Sequence, residues 1–215
     1  FFYTIGQLTG PEKIAEWADT FGLNAQTGID IGGEVKGLIP TPEWKKKVKN
    51  ETWFLGNTYH MSIGQGDVSL TPIEVNSYIS AIADNGKLCT PHFVNVQPGV
   101  FGCKQIKVKQ NNLDLVKEGM AGACSTGGTA YTFFDFPQKH GGVQVDCKTG
   151  TAEVGTDGTP HAWFTFFAPA DNPQIVGTIL VEKGGEGASV AGPVARKIAD
   201  YYFQSFGQTI SSETK

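Results

Sequence analysis

The 215-residue sequence predicts an α/β (α+β) fold in which an antiparallel sheet is covered by helices. Three observations predict it. The last third holds three runs, VQVDCKTGTAEV, HAWFTFFAPA and PQIVGTILVEKG, rich in β-branched and aromatic residues and separated by turn signals. That is the pattern of a three-strand antiparallel meander. Segments with apolar residues at helical spacing stand before and after these runs. Finally, 28 Gly and 14 Phe suit strands joined by tight turns.

In chain order, TGPEKIAEWADTFGL reads as a helix. Pro11 suits its first position, Ile14, Trp17, Ala18 and Phe21 recur at helical spacing, and Gly22 supplies the stop. TGIDIGGEVKGLIPTPEW reads as loop. In NTYHMSIGQGDVSLTPIEVNSYISAIADNG the first half reads as Gly-rich loop. The second half reads as a helix entered at Thr71-Pro72, with Ile73, Tyr78, Ile79 and Ile82 as candidate buried positions. Residues 88–109 hold short β-like runs, and NLDLVKEGMAGACS reads as a helix. SVAGPVARKIADYYFQSF closes the fold as an amphipathic helix with Val194, Ile198, Tyr201 and Phe206 on or near one side. It is expected to pack on the sheet near the FTFFAP strand. No internal repeat or dividing linker is visible. The expected organisation is one unit over 1–206 followed by a polar tail, 207–215.

Composition narrows the function classes. Hydrophobic content of 40% and charged content of 18% suit an ordinary globular core. A net charge of −4 with no Lys/Arg-rich face argues against nucleic acid as a partner. The one basic cluster, WKKKVK at 44–49, reads as a solvated helix face. No apolar run approaches the ~20 residues of a membrane span, and there is no signal peptide. The chain opens on FFYTIGQL without an initiator Met, and reads as a piece of a longer protein. Cys89, Cys103, Cys124 and Cys147 show no C-x-x-C spacing, which argues against a metal site. They read either as buried thiols or, in an oxidising compartment, as including a Cys89–Cys103 bridge across a strand pair.

The chemistry-bearing stretch is DCKTGTAEV. Lys148, Thr149 and Gly150 form K-T-G, one of three elements of the serine-acylating enzymes that include β-lactamases and penicillin-binding proteins. The triplet is weak alone. It is strong in combination with H-A-W-F downstream and I-G-Q-G-x-x-x-x-T-P upstream. FGLNAQTGIDIGGEVKGLIPTPEW and GASVAGPVARKIADYYF complete the set. On these stretches the chain resembles, over 1–206, the C-terminal part of the transpeptidase domain of a class B penicillin-binding protein of the elongation type.

The resemblance implies a fold and a reaction. The fold is the serine β-lactamase/penicillin-binding-protein transpeptidase type, incomplete on its N-terminal side. The reaction is serine acyl transfer: a serine attacks the D-Ala-D-Ala peptide of a stem peptide and releases the last D-Ala, and the acyl group then passes to an amine on a neighbouring strand. Stem peptides of peptidoglycan and β-lactam antibiotics are the implied ligands. Other cell-wall synthesis proteins are the implied partners. No cofactor is implied. The parent protein is expected in the bacterial cytoplasmic membrane with its catalytic domain outside the cytoplasm.

The nucleophile is expected upstream. The only S-x-x-K is Ser212–Lys215 in the polar tail, and no S-x-N occurs. These 215 residues alone are therefore expected to be inactive, and to self-associate or pair with the missing N-terminal half. In the resemblance, Lys148 attracts the substrate carboxylate, the Thr149 and Thr151 hydroxyls donate to it, and the Thr151 N–H is an oxyanion donor. Gly150 avoids crowding an adjacent helix.

Other candidates read more plainly. His161 reads as a structural hydrogen-bonding residue, Trp163 and Phe164 as core, Glu153 as solvated, and Ser62–Asp67 as a structural loop. Cys147 stands where the family usually has Gly or Ala. Two other function classes compete. One is a non-catalytic sensor of penicillin or muropeptides, or a scaffold. The other is a serine β-lactamase, for which no glutamate-bearing loop is visible.

Overall fold

A computed structural model of the chain describes residues 1–95, 97, 99–155 and 158–206. The polar tail with Ser212 and Lys215 lies outside the described residues. The backbone gathers into two compact units, Phe1–Ala81 with Gly86–Lys107, and Ile82–Asn85 with Val108 onward.

The first unit holds α1 (Phe2–Thr9), α2 (Pro11–Thr20), a single turn α3 (Pro42–Trp44), α4 (Leu55–Met61), most of α5 (Pro72–Ala83), and the pair β1 (Lys87–Cys89) and β2 (Cys103–Gln105). Its small core is Ala15, Ile39 and Met61, with Ile14, Trp53 and Leu70 against it. Pro11 occupies the first position of α2 as expected. Trp17, expected inside, is exposed, and Ala15 is the buried residue of that helix. α5 is entered through a capping box. The Thr71 N–H donates to Glu74 Oε2 while the Glu74 N–H donates to Thr71 Oγ1. Ile79 and Ile82 are buried as expected, while Ile73 and Tyr78 are half-buried.

Three further expectations change here. α1 was not foreseen. It crosses α4 with Gly6 against Ser62, so a contact distant in sequence organises it. The stretch read as Gly-rich loop contains α4. The Asn57 side chain accepts the Phe54 N–H at its start, and capping, not periodicity, nucleates that helix. Within the basic cluster Lys45 is buried and ion-paired with Glu51 at 3.3 Å, so it is not part of a solvated face. Across β1 and β2, Cys89 stands opposite Cys103, and the two form a disulfide.

The second unit carries the sheet. β3 (Asp146–Val154), β4 (Gly158–Ala168) and β5 (Ile175–Val181) run antiparallel in the order β3-β4-β5. This is the meander expected from the three apolar runs. α6 (Gln110–Cys124) packs on β3, and α8 (Gly192–Ser205) packs on β4 and β5. The register places Cys147, Thr149 and Thr151 beside Phe166, Phe164 and Ala162 on one face. That face builds the main core with Phe133, Phe136, Ala195, Ala199 and Phe203. The Phe133 ring lies 5.4–5.5 Å from those of Phe136, Phe164 and Phe166. Each fully buried ring contributes roughly 1.5–3 kcal/mol. The other face carries Asp146, Lys148 and Gly150. Helices thus cover both faces, since Lys117 of α6 lies over Phe167.

α8 packs as expected near FTFFAP but through a different stripe. Gly192, Ala195, Ala199 and Phe203 are buried, whereas Val194, Ile198, Tyr201 and Phe206 are exposed. Small residues let the helix approach the sheet, with Gly192 lying against the Phe164 ring. A hydrophobicity pattern weighted by side-chain size therefore selects the wrong side. Arg196 locks the helix further. It donates to Asp200 Oδ1, the Thr132 carbonyl and Asp135 Oδ1 at 2.8, 2.7 and 2.5 Å, respectively. It thereby reaches the short helical turn Tyr131–Phe133 and α7 (Phe136–Lys139). Lys139 and Arg196 hold the Asp135 carboxyl down to about 2.

Candidate functional site

The K-T-G-T residues stand in the middle of β3. That strand pairs with β4 alone within the three-strand sheet, so one of its edges is unpaired there. Its first two residues, Asp146 and Cys147, are buried. Exposure begins at Lys148. A strand anchored at its start by the core therefore presents its middle outward.

Lys148 Nζ donates to the Thr149 carbonyl. Burial of the ammonium lowers its pKa from the usual lysine value. Thr149 Oγ1 donates to Thr129 Oγ1 at 3.0 Å. Thr151 Oγ1 accepts from the Gly187 N–H at 3.4 Å. The two threonines thus share a face, as the period of two requires, and Lys148 leaves from the other.

The need for glycine at 150 has a different source from the helix expected. A methyl group there would stand 3.1 Å from Cβ of the cross-strand Trp163. Gly187 completes the close packing. It opens a π-helical turn, Gly187–Ala191, and any side chain on it would run into the carbonyl oxygens of Trp163 and Gly150.

Other sequence candidates fall into place around this strand. His161 Nδ1 accepts from the Lys183 N–H at 2.9 Å, a structural role. Trp163 is half-buried, Phe164 is fully buried and Glu153 is exposed. In the first unit, the Ser62–Asp67 stretch is held by the Lys49–Asp67 ion pair at 2.5 Å and by the Ser62 hydroxyl on the Tyr59 carbonyl.

Sequence reasoning missed four residues of the site. Thr129 and Gly187 partner the two threonines from distant segments. Cys124, at the end of α6, forms a disulfide with Cys147. The two cysteine positions were visible, but nothing in their spacing indicated the partner. Asp146 is 2% exposed and its Oδ1 has no hydrogen-bond partner. Burial pushes its carboxyl up to about 7, against the pull of Lys117. Among the described residues no group of three or more His, Cys, Asp or Glu is placed to hold a metal. No described helix is long and apolar enough to cross a membrane.

Comparison with known proteins accounts for this arrangement. The family model described as the penicillin binding protein transpeptidase domain matches residues 1–200. Peptidoglycan D,D-transpeptidase MrdA of Haemophilus influenzae is 33% identical over 94% of this chain, and the chain spans 34% of that protein. Among solved structures, penicillin-binding protein PBP2 of Helicobacter pylori superposes with a TM-score of 0.81 at 33% identity, covering 94% of this chain and 37% of that one. Pseudomonas aeruginosa PBP2, solved with the compound WCK 5153, gives a TM-score of 0.82 at 30% identity over 96% of this chain and 45% of that one. The chain thus spans about a third of the curated relative it matches. On the sheet, the K-T-G-T strand and these matches together, the chain belongs to the penicillin-binding protein transpeptidase domain family.

Proposed function

We propose that this chain is part of a peptidoglycan D,D-transpeptidase that cross-links stem peptides by serine acyl transfer and is acylated by penicillin. The observation that carries the reading is the placement of Lys148, Thr149, Gly150 and Thr151 on a partly exposed stretch of β3, at the edge of the three-strand sheet. A peptide can add to such an edge as an extra strand, with its backbone groups meeting those of β3. Lys148 supplies the cation that attracts the terminal carboxylate. The Thr149 and Thr151 hydroxyls donate to the same carboxylate, with Thr129 in turn donating to Thr149 Oγ1. The Thr151 N–H faces the carbonyl oxygen as it gains negative charge, and a donor of this kind is worth roughly 10²–10³ in rate.

The nucleophile is a serine outside these residues, activated by a neighbouring base. Its oxygen bonds to the penultimate D-Ala carbonyl carbon, and its proton passes to the departing D-Ala amine. The amine of a second strand then displaces the serine and restores its hydroxyl. A β-lactam follows the first half of this course and stays attached. Helicobacter pylori PBP2 has been solved in complex with MreC. By analogy, the parent of this chain works with other cell-wall synthesis proteins, anchored in the cytoplasmic membrane with this domain outside.

The test is the intact mass of this chain, and of the chain extended upstream through the S-x-x-K element, after incubation with benzylpenicillin. One added penicillin on the extended chain alone is the expected result. Specific acylation of the short chain would move the nucleophile to Ser212. Acylation of neither would leave a non-catalytic sensor or scaffold as the better reading.

A further inference from the structure

We propose that the Cys124–Cys147 disulfide is a positioning link that holds the K-T-G-T strand against the Thr129 loop, so that the acylation rate depends on its oxidation. The inference rests on the transpeptidase reading above. Cys147 directly precedes Lys148, and shares a face of β3 with Thr149 and Thr151. Cys124 is the last residue of α6 and leads into the loop that carries Thr129. Two links on one face therefore join the same pair of segments: the disulfide at 147 and the Thr149–Thr129 hydrogen bond at 149.

The loop itself is held to the helix end. The Gly128 N–H donates to the Ser125 carbonyl and the Ala130 N–H to the Ala123 carbonyl, both at 2.8 Å. A side chain at 128 would strike the carbonyl oxygens of Gly122 and Ala123. The end of α6 and the Thr129 loop thus form one body, and β3 is a second. Between Cys124 and Cys147 the chain runs a separation of 23 residues. The disulfide replaces that long path with a direct tie two residues from Thr149.

Both cysteines are buried, and on the Cys124 side the link borders an open cleft. Cys147 is fully buried, but Cys124 is 8% exposed and lines a cleft of about 470 Å³ with Ser125, Thr126 and Asp146. A dithiol such as dithiothreitol would attack there. It transfers two electrons and two protons to the pair, giving two cysteine thiols, and closes to its own cyclic disulfide.

The experiment uses the full-length protein that carries this chain, with Cys89→Ser/Cys103→Ser as background so that, of the two pairs in these residues, one reports. Penicillin acylation is timed by mass in the oxidised form, after dithiothreitol, after reoxidation with oxidised glutathione, and in Cys124→Ala/Cys147→Ala. Amide hydrogen exchange is followed in 125–130 and 148–152. The expected result has four parts. Acylation slows about tenfold or more on reduction, in line with the cost of small misplacements. The double alanine variant is slowed equally. Reoxidation restores the rate, and exchange quickens in both segments while circular dichroism stays native. An unchanged rate on reduction would overturn the proposal, as would a double alanine variant as fast as the oxidised protein. Absence of acylation in the oxidised form would count against the transpeptidase reading. In that case the exchange data decide the positioning claim, and equal exchange in oxidised and reduced protein sinks it.

Discussion

The start and the middle of β3 solve different problems with the same backbone. At Asp146 and Cys147 the strand is buried, crosslinked to α6 and flanked by Phe166 and Phe167. From Lys148 to Thr151 it is open, and its polar groups meet Thr129, Gly187 and its own backbone. The difference teaches that an exposed strand can be held from its start. Packing is concentrated at Asp146 and Cys147, and the K-T-G-T residues follow directly where the packing stops.

Substitutions at the two stretches should separate these roles. The largest effect on stability is expected for Phe166→Ala, which empties a fully buried site against Gly177. It should cost about 3–5 kcal/mol in urea unfolding. In the open stretch, Lys148→Ala should slow penicillin acylation of the full-length protein roughly 10²–10³-fold. Its unfolding free energy should shift by no more than about 0.5 kcal/mol, because the side chain as a whole is exposed even though its ammonium is partly covered. Comparable losses of stability from both variants would erase the distinction between the stretches.

Asp146 sharpens the comparison through pH. Its folded pKa of about 7 lies above the unfolded value of about 4. The folded state therefore holds a proton that the unfolded state has lost between those values. Its contribution to stability is complete below about pH 4 and is lost as pH rises through 7, by about 1.4 kcal/mol per unit at the steepest. Chemical unfolding at pH 5 and pH 8 should show the decline, and Asp146→Asn should flatten it. A modest effect is expected at the Thr149–Thr129 pair. Thr129→Val should cost about 1 kcal/mol of stability. Acylation should also fall, which timed labelling would detect.

Much of the fold was legible because local physics and tertiary packing agreed. The three strands carry dense β-branched and aromatic runs bounded by turn residues, and the meander buries one face of them in the main core. α6 and α5 carry enough apolar residues to announce themselves, and Thr71-Pro72 with Glu74 marks a helix start. Where local and tertiary demands diverged, the reading failed. α8 is the clearest case. Its larger apolar side chains point outward, because close approach to the sheet needs Gly192, Ala195 and Ala199 inside. α4 is started by the Asn57 side chain, in its first turn, accepting from the Phe54 N–H, a signal that its glycine-rich neighbours conceal. Lys45 is drawn into burial by Glu51, six residues on, against the habit of a lysine cluster.

The sequence by itself determined the sheet and the K-T-G-T strand at its edge. Alternation and turn chemistry act over a few residues and survive in one dimension. The tertiary structure alone decided which groups meet that strand. Thr129, Gly187 and Cys124 lie 20, 36 and 23 residues from their partners. Only the closing of those loops by a packed core brings them within bonding distance.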